Sequence, residues 1–249
     1  MRMNDLLLPV VVVHGIGSGD NKDRAGFSTV LSRNVDEVSR PVTRVGPFEV
    51  IQKVNAGNDP RDPDGIYWQE ALWESENNTA DAVIEFITKR FSLPGWLSRE
   101  AIDLLTDVPL YLGVNGKKIR KAVRDVIKQH PGCIVIGHSL GSVIAADVLQ
   151  EERLKAGANK LPVSGLITLG SPLNLLGMRK QMDSPFPFKW YNYYYPSDPI
   201  AIRGGLKQAS FPGVKNHKLN AGETFAVSHT SYWSSTVLAF SVYKLTVTG

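Results

Sequence analysis

The stretch CIVIGHSLGSVIAADVL, Cys133 to Leu149, changes its hydrophobic period in the middle. Ile134, Val135 and Ile136 form an unbroken apolar run, the pattern of a strand buried on both faces, whereas Leu140, Val143, Ile144 and Val148 recur at helical spacing. A strand therefore turns into a helix within about two residues, at Ser139. A turn this tight strains the serine backbone and brings neighbouring chain close, so small residues are required on both sides. Gly137 and Gly141 supply them. The hydroxyl is then held above a sheet edge, beside the first N–H groups of a helix, where negative charge is favoured. A bare G-x-S-x-G match is weak, and a Gly-Ser turn without chemistry is its plain alternative. The rest of the chain decides between them.

Leu6–Val13 reads as a buried strand stopped by glycines, and Phe48–Asn55 as a second strand. Residues 58–65 (NDPRDPDG) are loop, and Ile66–Trp73 is either a short strand or the start of a helix. Asn77–Arg90 and Ser98–Asp107 are helical in pattern, separated by Leu93-Pro94-Gly95. Further on come a helix over Gly116–His130, a strand over Cys133–His138 and a helix over Leu140–Lys155. Strands follow at Val163–Leu169, Lys189–Tyr195 and Val214–Leu219. A last helix spans Ser231–Lys244, with Thr230 or Ser231 as its cap and Trp233, Val237 and Phe240 as its apolar stripe. Apolar strands alternating with helices imply an α/β fold, with a mostly parallel central sheet flanked by helices. Ligands of such sheets gather at the C-terminal ends of the strands. With 249 residues and no internal repeat, one domain over 1–249 is expected, with 77–113 as a possible helical cap within it.

Charge narrows the function classes. The net charge is +4, but the 28 basic residues are scattered, and Lys117, Lys118, Arg120, Lys121 and Arg124 read as the solvated face of one helix. No basic stripe interleaves with aromatics, so nucleic acid is not an expected partner. The single cysteine, Cys133, lies in an apolar strand and reads as an inert buried thiol. No apolar run reaches the roughly 20 residues of a membrane span. The N-terminal apolar run is interrupted by Asp5 and lacks a small-residue cleavage site, so a cytoplasmic location is the expectation. The histidines are dispersed, with no H-E-x-x-H or Cys/His pairs, so a metal is not expected.

A serine hydroxyl attacks carbon well only when a base removes its proton and an acid orients that base. In folds of this kind both partners follow the serine, acid before histidine. Downstream of Ser139 stand two histidines, His217 and His229. His229 lies in a loop just before the last helix, whereas His217 lies among lysines in a strand, so His229 is favoured. Among the carboxylates, Asp147 sits eight residues into the helix, about 12 Å along its axis, and Glu151 and Glu152 lie further still. Asp198, in the turn Tyr195-Pro196-Ser197-Asp198-Pro199 past a strand end, is the favoured acid, with Asp183 and Glu223 as fallbacks. An oxyanion would be held by backbone donors: the N–H of Leu140 and, from the glycine-rich loop after the first strand, the N–H of Ile16. That loop, HGIGSG, is not a phosphate cradle, since it fits neither G-x-G-x-x-G nor a P-loop. His14 precedes the serine in the chain and reads as structural.

Taken together, VVVHGIG, VIGHSLGS, TLGSP at Thr168–Pro172, SDPI and SHTSYW resemble the α/β-hydrolase superfamily, and most of all its lipase- and esterase-type serine hydrolases. The resemblance implies a Ser139–Asp198–His229 triad with Ile16 and Leu140 as oxyanion donors, and no cofactor. It implies hydrolysis of acyl esters through an acyl-enzyme, on a small-molecule or lipid-like substrate. The serine excludes relatives whose nucleophile is aspartate. Residues 77–113 match no motif; their large apolar side chains either pack helices onto the sheet or cap an acyl pocket, to which Leu173, Leu175, Leu176 and Met178 could add a wall. The competing class is a non-catalytic module of the same fold that binds an apolar ligand or a protein partner.

Overall fold

The computed structural model describes residues 8–14, 30–35, 38, 42–45, 48–51, 68–71, 108–113, 116–156, 163–201, 204–220 and 228–248. Ile16 and Glu223, the loop at 58–65 and the helices expected over 77–90 and 98–107 lie outside them. Eight strands are β1 Val10–Val13, β2 Val42–Val45, β3 Phe48–Ile51, β4 Trp68–Ala71, β5 Cys133–His138, β6 Val163–Leu169, β7 Lys189–Tyr194 and β8 Val214–Lys218. The helices are α1 through 30–35, α2 Val108–Leu112, α3 Gly116–Gln129, α4 Leu140–Ala156, α5 Leu173–Leu176 and α6 Thr236–Thr248. Of the first strand expected, Leu8 and Pro9 lie outside β1; the described start of the second is β3, and the undecided Ile66–Trp73 contains β4.

Six strands form one sheet in the order β4-β1-β5-β6-β7-β8, and all five pairings are parallel. Strands β2 and β3 form a separate antiparallel pair. Parallel pairing requires crossovers, and crossovers place helices on the sheet faces. On one face, Val11, Val13, Cys133 and Val135 pack with Ile119, Val123 and Ile127 of α3 and with α4. On the other, Val10, Val12, Ile134 and Ile136 pack with Leu31 and Val35 of α1 and with α6. The single-residue alternation explains why these strands read as continuous apolar runs: both faces are covered. This is the α/β-hydrolase architecture, with the serine turn at the end of β5.

From β1 the chain crosses outward to β4, and from β5 it crosses the other way to β6. Strands β1 and β5 are neighbours, so the chain's direction reverses between them and leaves a crevice at their C-terminal ends. Ser139 and His14 stand there, one residue beyond β5 and β1 respectively.

Two expectations need correction. The last helix does not begin at Ser231: Ser231–Ser234 form a 3-10 turn, and α6 starts at Thr236 with the Ser235 hydroxyl accepting the Leu238 N–H at 3.3 Å. Its buried stripe is accordingly Leu238, Ala239, Val242 and Leu245, while Val237 and Phe240 are 60% and 57% exposed. Burying Leu238, Val242 and Leu245 stabilises by about 2 kcal/mol each, which outweighs leaving the other two in water. The basic face of α3 is also not fully solvated. Arg120 is buried 2.8 Å from Glu151, and Arg124 lies 2.5 Å from Glu151 and 2.7 Å from Glu152, clamping α3 to α4.

Of the expected cap, the described part is α2, and it is tied to the serine helix. Val108 and Tyr111 are buried in the core, and the Tyr111 hydroxyl donates to Asp147 of α4. Asp147 also accepts the Arg179 N–H at 2.7 Å. Burial pushes the Asp147 carboxyl up to about 6, against the opposing hydrogen bonds from Tyr111 and Arg179 and the charge of Arg120. The folded state therefore holds this proton more tightly than the unfolded chain, so stability falls as pH rises from about 4 to about 6 and then levels. Asp147→Asn keeps the acceptor for Arg179 and turns its NH2 toward the Tyr111 oxygen. We expect it to remove that slope, worth about 2 kcal/mol at neutral pH, in denaturant melts at pH 4 and pH 7; an unchanged slope would assign the proton elsewhere.

Candidate active site

Strand β5 delivers Ser139 in a left-handed conformation, φ 52°, the one positive φ outside glycine among the described residues. Such a residue costs about 1–3 kcal/mol and persists only where surrounding bonds hold it. Here the Ser139 N–H donates to the Leu169 carbonyl at 2.9 Å, carrying the β5–β6 ladder one step beyond the strands. The Ser139 carbonyl accepts the Ser142 N–H at 2.9 Å and lies 2.5 Å from the Ser142 hydroxyl, which must be the donor. Ser142 and Ser171 hydroxyl oxygens are 2.6 Å apart, so the proton between them comes from Ser171. Ser171 in turn accepts the Leu173 N–H at 3.3 Å. The TLGSP segment thus braces the serine turn from β6. The flanking glycines are sterically obligatory: a Cβ on Gly141 would lie 2.2 Å from the Val13 carbonyl oxygen, and one on Gly137 would lie 2.6 Å from Ser142 Cα.

Asp198 occupies the turn after β7, its N–H bonded to the Tyr195 carbonyl at 3.0 Å. Its carboxylate is buried and meets only donors: His229 Nδ1 at 3.0 Å from each oxygen, the Tyr232 hydroxyl at 2.6 Å and the Ile200 N–H at 2.9 Å. Burial alone would raise its pKa, but the charge and hydrogen bond of His229, then the bonds from Tyr232 and Ile200, bring it below the usual carboxylate range. Asp198 is thus an anion with no proton of its own to share, which assigns the His229 proton to Nδ1 and leaves Nε2 as the lone-pair nitrogen of the neutral ring.

His138, the residue before the serine, holds the other side of His229. Its Nε2 lies 2.7 Å from the His229 carbonyl oxygen, to which it must donate, and the two rings are 4.7 Å apart. Burial, then the neighbouring His229, pushes His138 down to about 3, so it stays neutral. Trp233 closes this side, 5.2 Å from the His14 ring and 5.2 Å from His138. Behind the pair runs Gly170, φ 52°, where a Cβ would lie 2.6 Å from Asp198 Oδ2 and 3.1 Å from His229 Nδ1. A side chain there would occupy the space of the Asp198–His229 pair.

The ends of β5, β6 and β7 and the loop after β8 therefore bring Ser139, Gly170, Asp198 and His229 to one region of the crevice. Leu140 is the first residue of α4, so its N–H has no intrahelical acceptor. Asp183 stands apart, 2.7 Å from Arg153 and largely exposed, and His217 lies on β8 with its ring 4.8 Å from that of Tyr193. Burial pushes the Cys133 thiol up to about 12, leaving it inert. Leu173 is buried in the core, and Leu175, Leu176 and Met178 pack against that same core. His138, Gly170, Ser171 and Tyr232 were not singled out as site residues from sequence. Tyr232 had one available signal, its place three residues after His229, on the same side of a helical turn. Among the described residues, no three His, Cys, Asp or Glu side chains form a group that could hold a metal ion. Among them, too, no helix is long and apolar enough to cross a membrane.

No family model matches the chain, and neither does the sequence of any curated protein. Among solved structures, a pyrethroid hydrolase from Sphingobium faniae JZ-2 aligns at 16% identity with a TM-score of 0.37, over 68% of this chain and 92% of its own. A crystallised protein from Agrobacterium vitis S4, named as a hydrolase, aligns at 13% identity with a TM-score of 0.42, over 98% of this chain and 89% of its own.

Proposed function

We propose that this chain is a serine hydrolase of carboxylic esters, of esterase or lipase type, with Ser139 as nucleophile, His229 as general base and Asp198 as its orienting acid. The observation that supports this most is the buried Asp198–His229 pair, whose hydrogen bonds put the ring proton on Nδ1 and which packs against His138, the residue before the strained Ser139. As Ser139 Oγ attacks the acyl carbon, His229 Nε2 takes its proton, and the carbonyl oxygen becomes an oxyanion. The Leu140 N–H and, from the loop after β1, the Ile16 N–H stabilise that charge by about 3 kcal/mol each. Collapse breaks the ester C–O bond, and the leaving alkoxide receives the proton from His229. Water, deprotonated by the same nitrogen, then attacks the acyl-enzyme and releases the acid and Ser139. The apolar residues of the middle segment favour an apolar acyl group.

The test is phosphonylation by a fluorophosphonate, which traps a serine only where base and oxyanion donors work together. We expect one adduct per chain, mapped by peptide mass to Ser139, and a burst of p-nitrophenol from a p-nitrophenyl ester. A native protein that takes no adduct, with or without detergent, would overturn the proposal in favour of a binding module.

A further inference from the structure

Asp198 serves two side chains, not one. Besides His229, it accepts the Tyr232 hydroxyl at 2.6 Å, the shortest of its hydrogen bonds. The same hydroxyl accepts the Tyr195 N–H at 3.0 Å. That backbone donor is fixed by the turn after β7, so it takes one lone-pair direction and aims the phenolic proton at Asp198. Tyr232 is fully buried, and burial, then the Asp198 charge, keeps it protonated well above the ordinary range for tyrosine. It is therefore a permanent donor. His229 Nδ1 lies 3.0 Å from the same Oδ2 that Tyr232 binds, so the two compete for one oxygen's charge.

We propose that Tyr232 is a positioning residue of the catalytic pair: it fixes the Asp198 carboxylate toward His229 and draws off part of its charge, so that His229 sheds its proton at lower pH. The inference rests on the triad reading of Ser139, Asp198 and His229. A carboxylate with one competing donor stabilises an imidazolium less than a free one does. The base then stays available in mildly acidic solution. The described titratable groups around the pair are His138 at the end of β5, against His229; His14 just beyond β1, acting on His138; Tyr232, bonded to Asp198; and Tyr195, whose ring packs on that of Tyr232. Of these, the Tyr232 hydroxyl is hydrogen-bonded to Asp198, so a change at that hydroxyl reaches the base through the acid.

The experiment is the pH profile of kcat/KM for p-nitrophenyl ester hydrolysis, with active sites counted by fluorophosphonate titration. Tyr232→Phe should move the acidic limb upward by about 0.5–1 pH unit and lower the plateau about tenfold, with KM within about twofold. The limb's position does not depend on the fraction of protein folded, which matters because the substitution also strips the Tyr195 N–H of its acceptor. A ring-fluorinated tyrosine at 232, nearly isosteric and a stronger donor, should move the limb downward instead. Opposite shifts in the two variants are outside the reach of a packing role. Limbs that coincide with wild type in both would overturn the inference while leaving the triad standing. A wild type that neither takes the label nor turns over ester would remove the triad reading, and the inference with it.

Discussion

Asp198→Asn should lower kcat/KM for ester hydrolysis by about 10⁴-fold while leaving the protein folded. The reason lies in what surrounds the carboxylate. Nδ1–H, the Tyr232 O–H and the Ile200 N–H all point at it, and a carboxylate accepts all three. An asparagine offers one acceptor oxygen and an NH2 group, so one of the three must meet a donor. Placing the NH2 at the Oδ1 position sets it against the Ile200 N–H, which cannot turn away. Placing it at the Oδ2 position is cheaper, because the Tyr232 hydroxyl can accept instead of donating. That NH2 also faces His229 Nδ1, 3.0 Å away, and favours the tautomer with its proton on Nε2. A base protonated on Nε2 cannot take a proton from Ser139. Steady-state rates with a p-nitrophenyl ester, beside a thermal melt, check this. A folded variant that loses less than about tenfold would show that Asp198 is not the orienting acid.

Gly141→Ala should cost at least about 3 kcal/mol of unfolding free energy, and at least about 100-fold in activity. The added Cβ would lie 2.2 Å from the Val13 carbonyl oxygen and 2.5 Å from that of His14. Both are backbone atoms, one at the last residue and one just past the end of a strand hydrogen-bonded on both sides, to β4 and β5, so no side chain can swing aside. Relief requires moving the end of β1 away from the start of α4 and the Leu140 N–H. Gly177 provides the contrast. It has a positive φ of 67°, which Gly141 does not, but a Cβ there meets nothing within 4 Å, and alanine should cost only about 1–2 kcal/mol. Denaturant midpoints and ester turnover of the two variants make the comparison, and equal losses would sink the steric account.

The serine turn was legible because two periodicities meet there, and β5 and β6 match their apolar runs residue for residue. Elimination singled out Asp198 and His229, which the structure brings within 3.0 Å of each other, since few carboxylates and histidines follow Ser139 at strand ends. The start of the last helix was not. SHTSYWSSTV offers several serines and threonines that cap equally well, and a five-residue error turned its exposed residues into an expected stripe. Arg120 and Arg124 read as solvated because their partners, Glu151 and Glu152, lie on another helix, and the packing of α3 on α4 is not written in either one. The grip of Tyr232 on Asp198 and of His138 on the His229 backbone escaped for the same reason. Which donors approach a buried carboxylate or carbonyl is settled by how three strand ends meet, not by any local pattern.

The hydrogen bonds that assemble the site are long-range in the chain: 31 residues separate Asp198 from His229, and 91 separate His138 from His229. No fragment that stops short of His229 contains the proposed base. On the proposed triad, phosphonylation of Ser139 requires His229 docked against His138 of β5. In refolding it would report that long-range contact separately from the helical and sheet signals of α3, α4 and their strands.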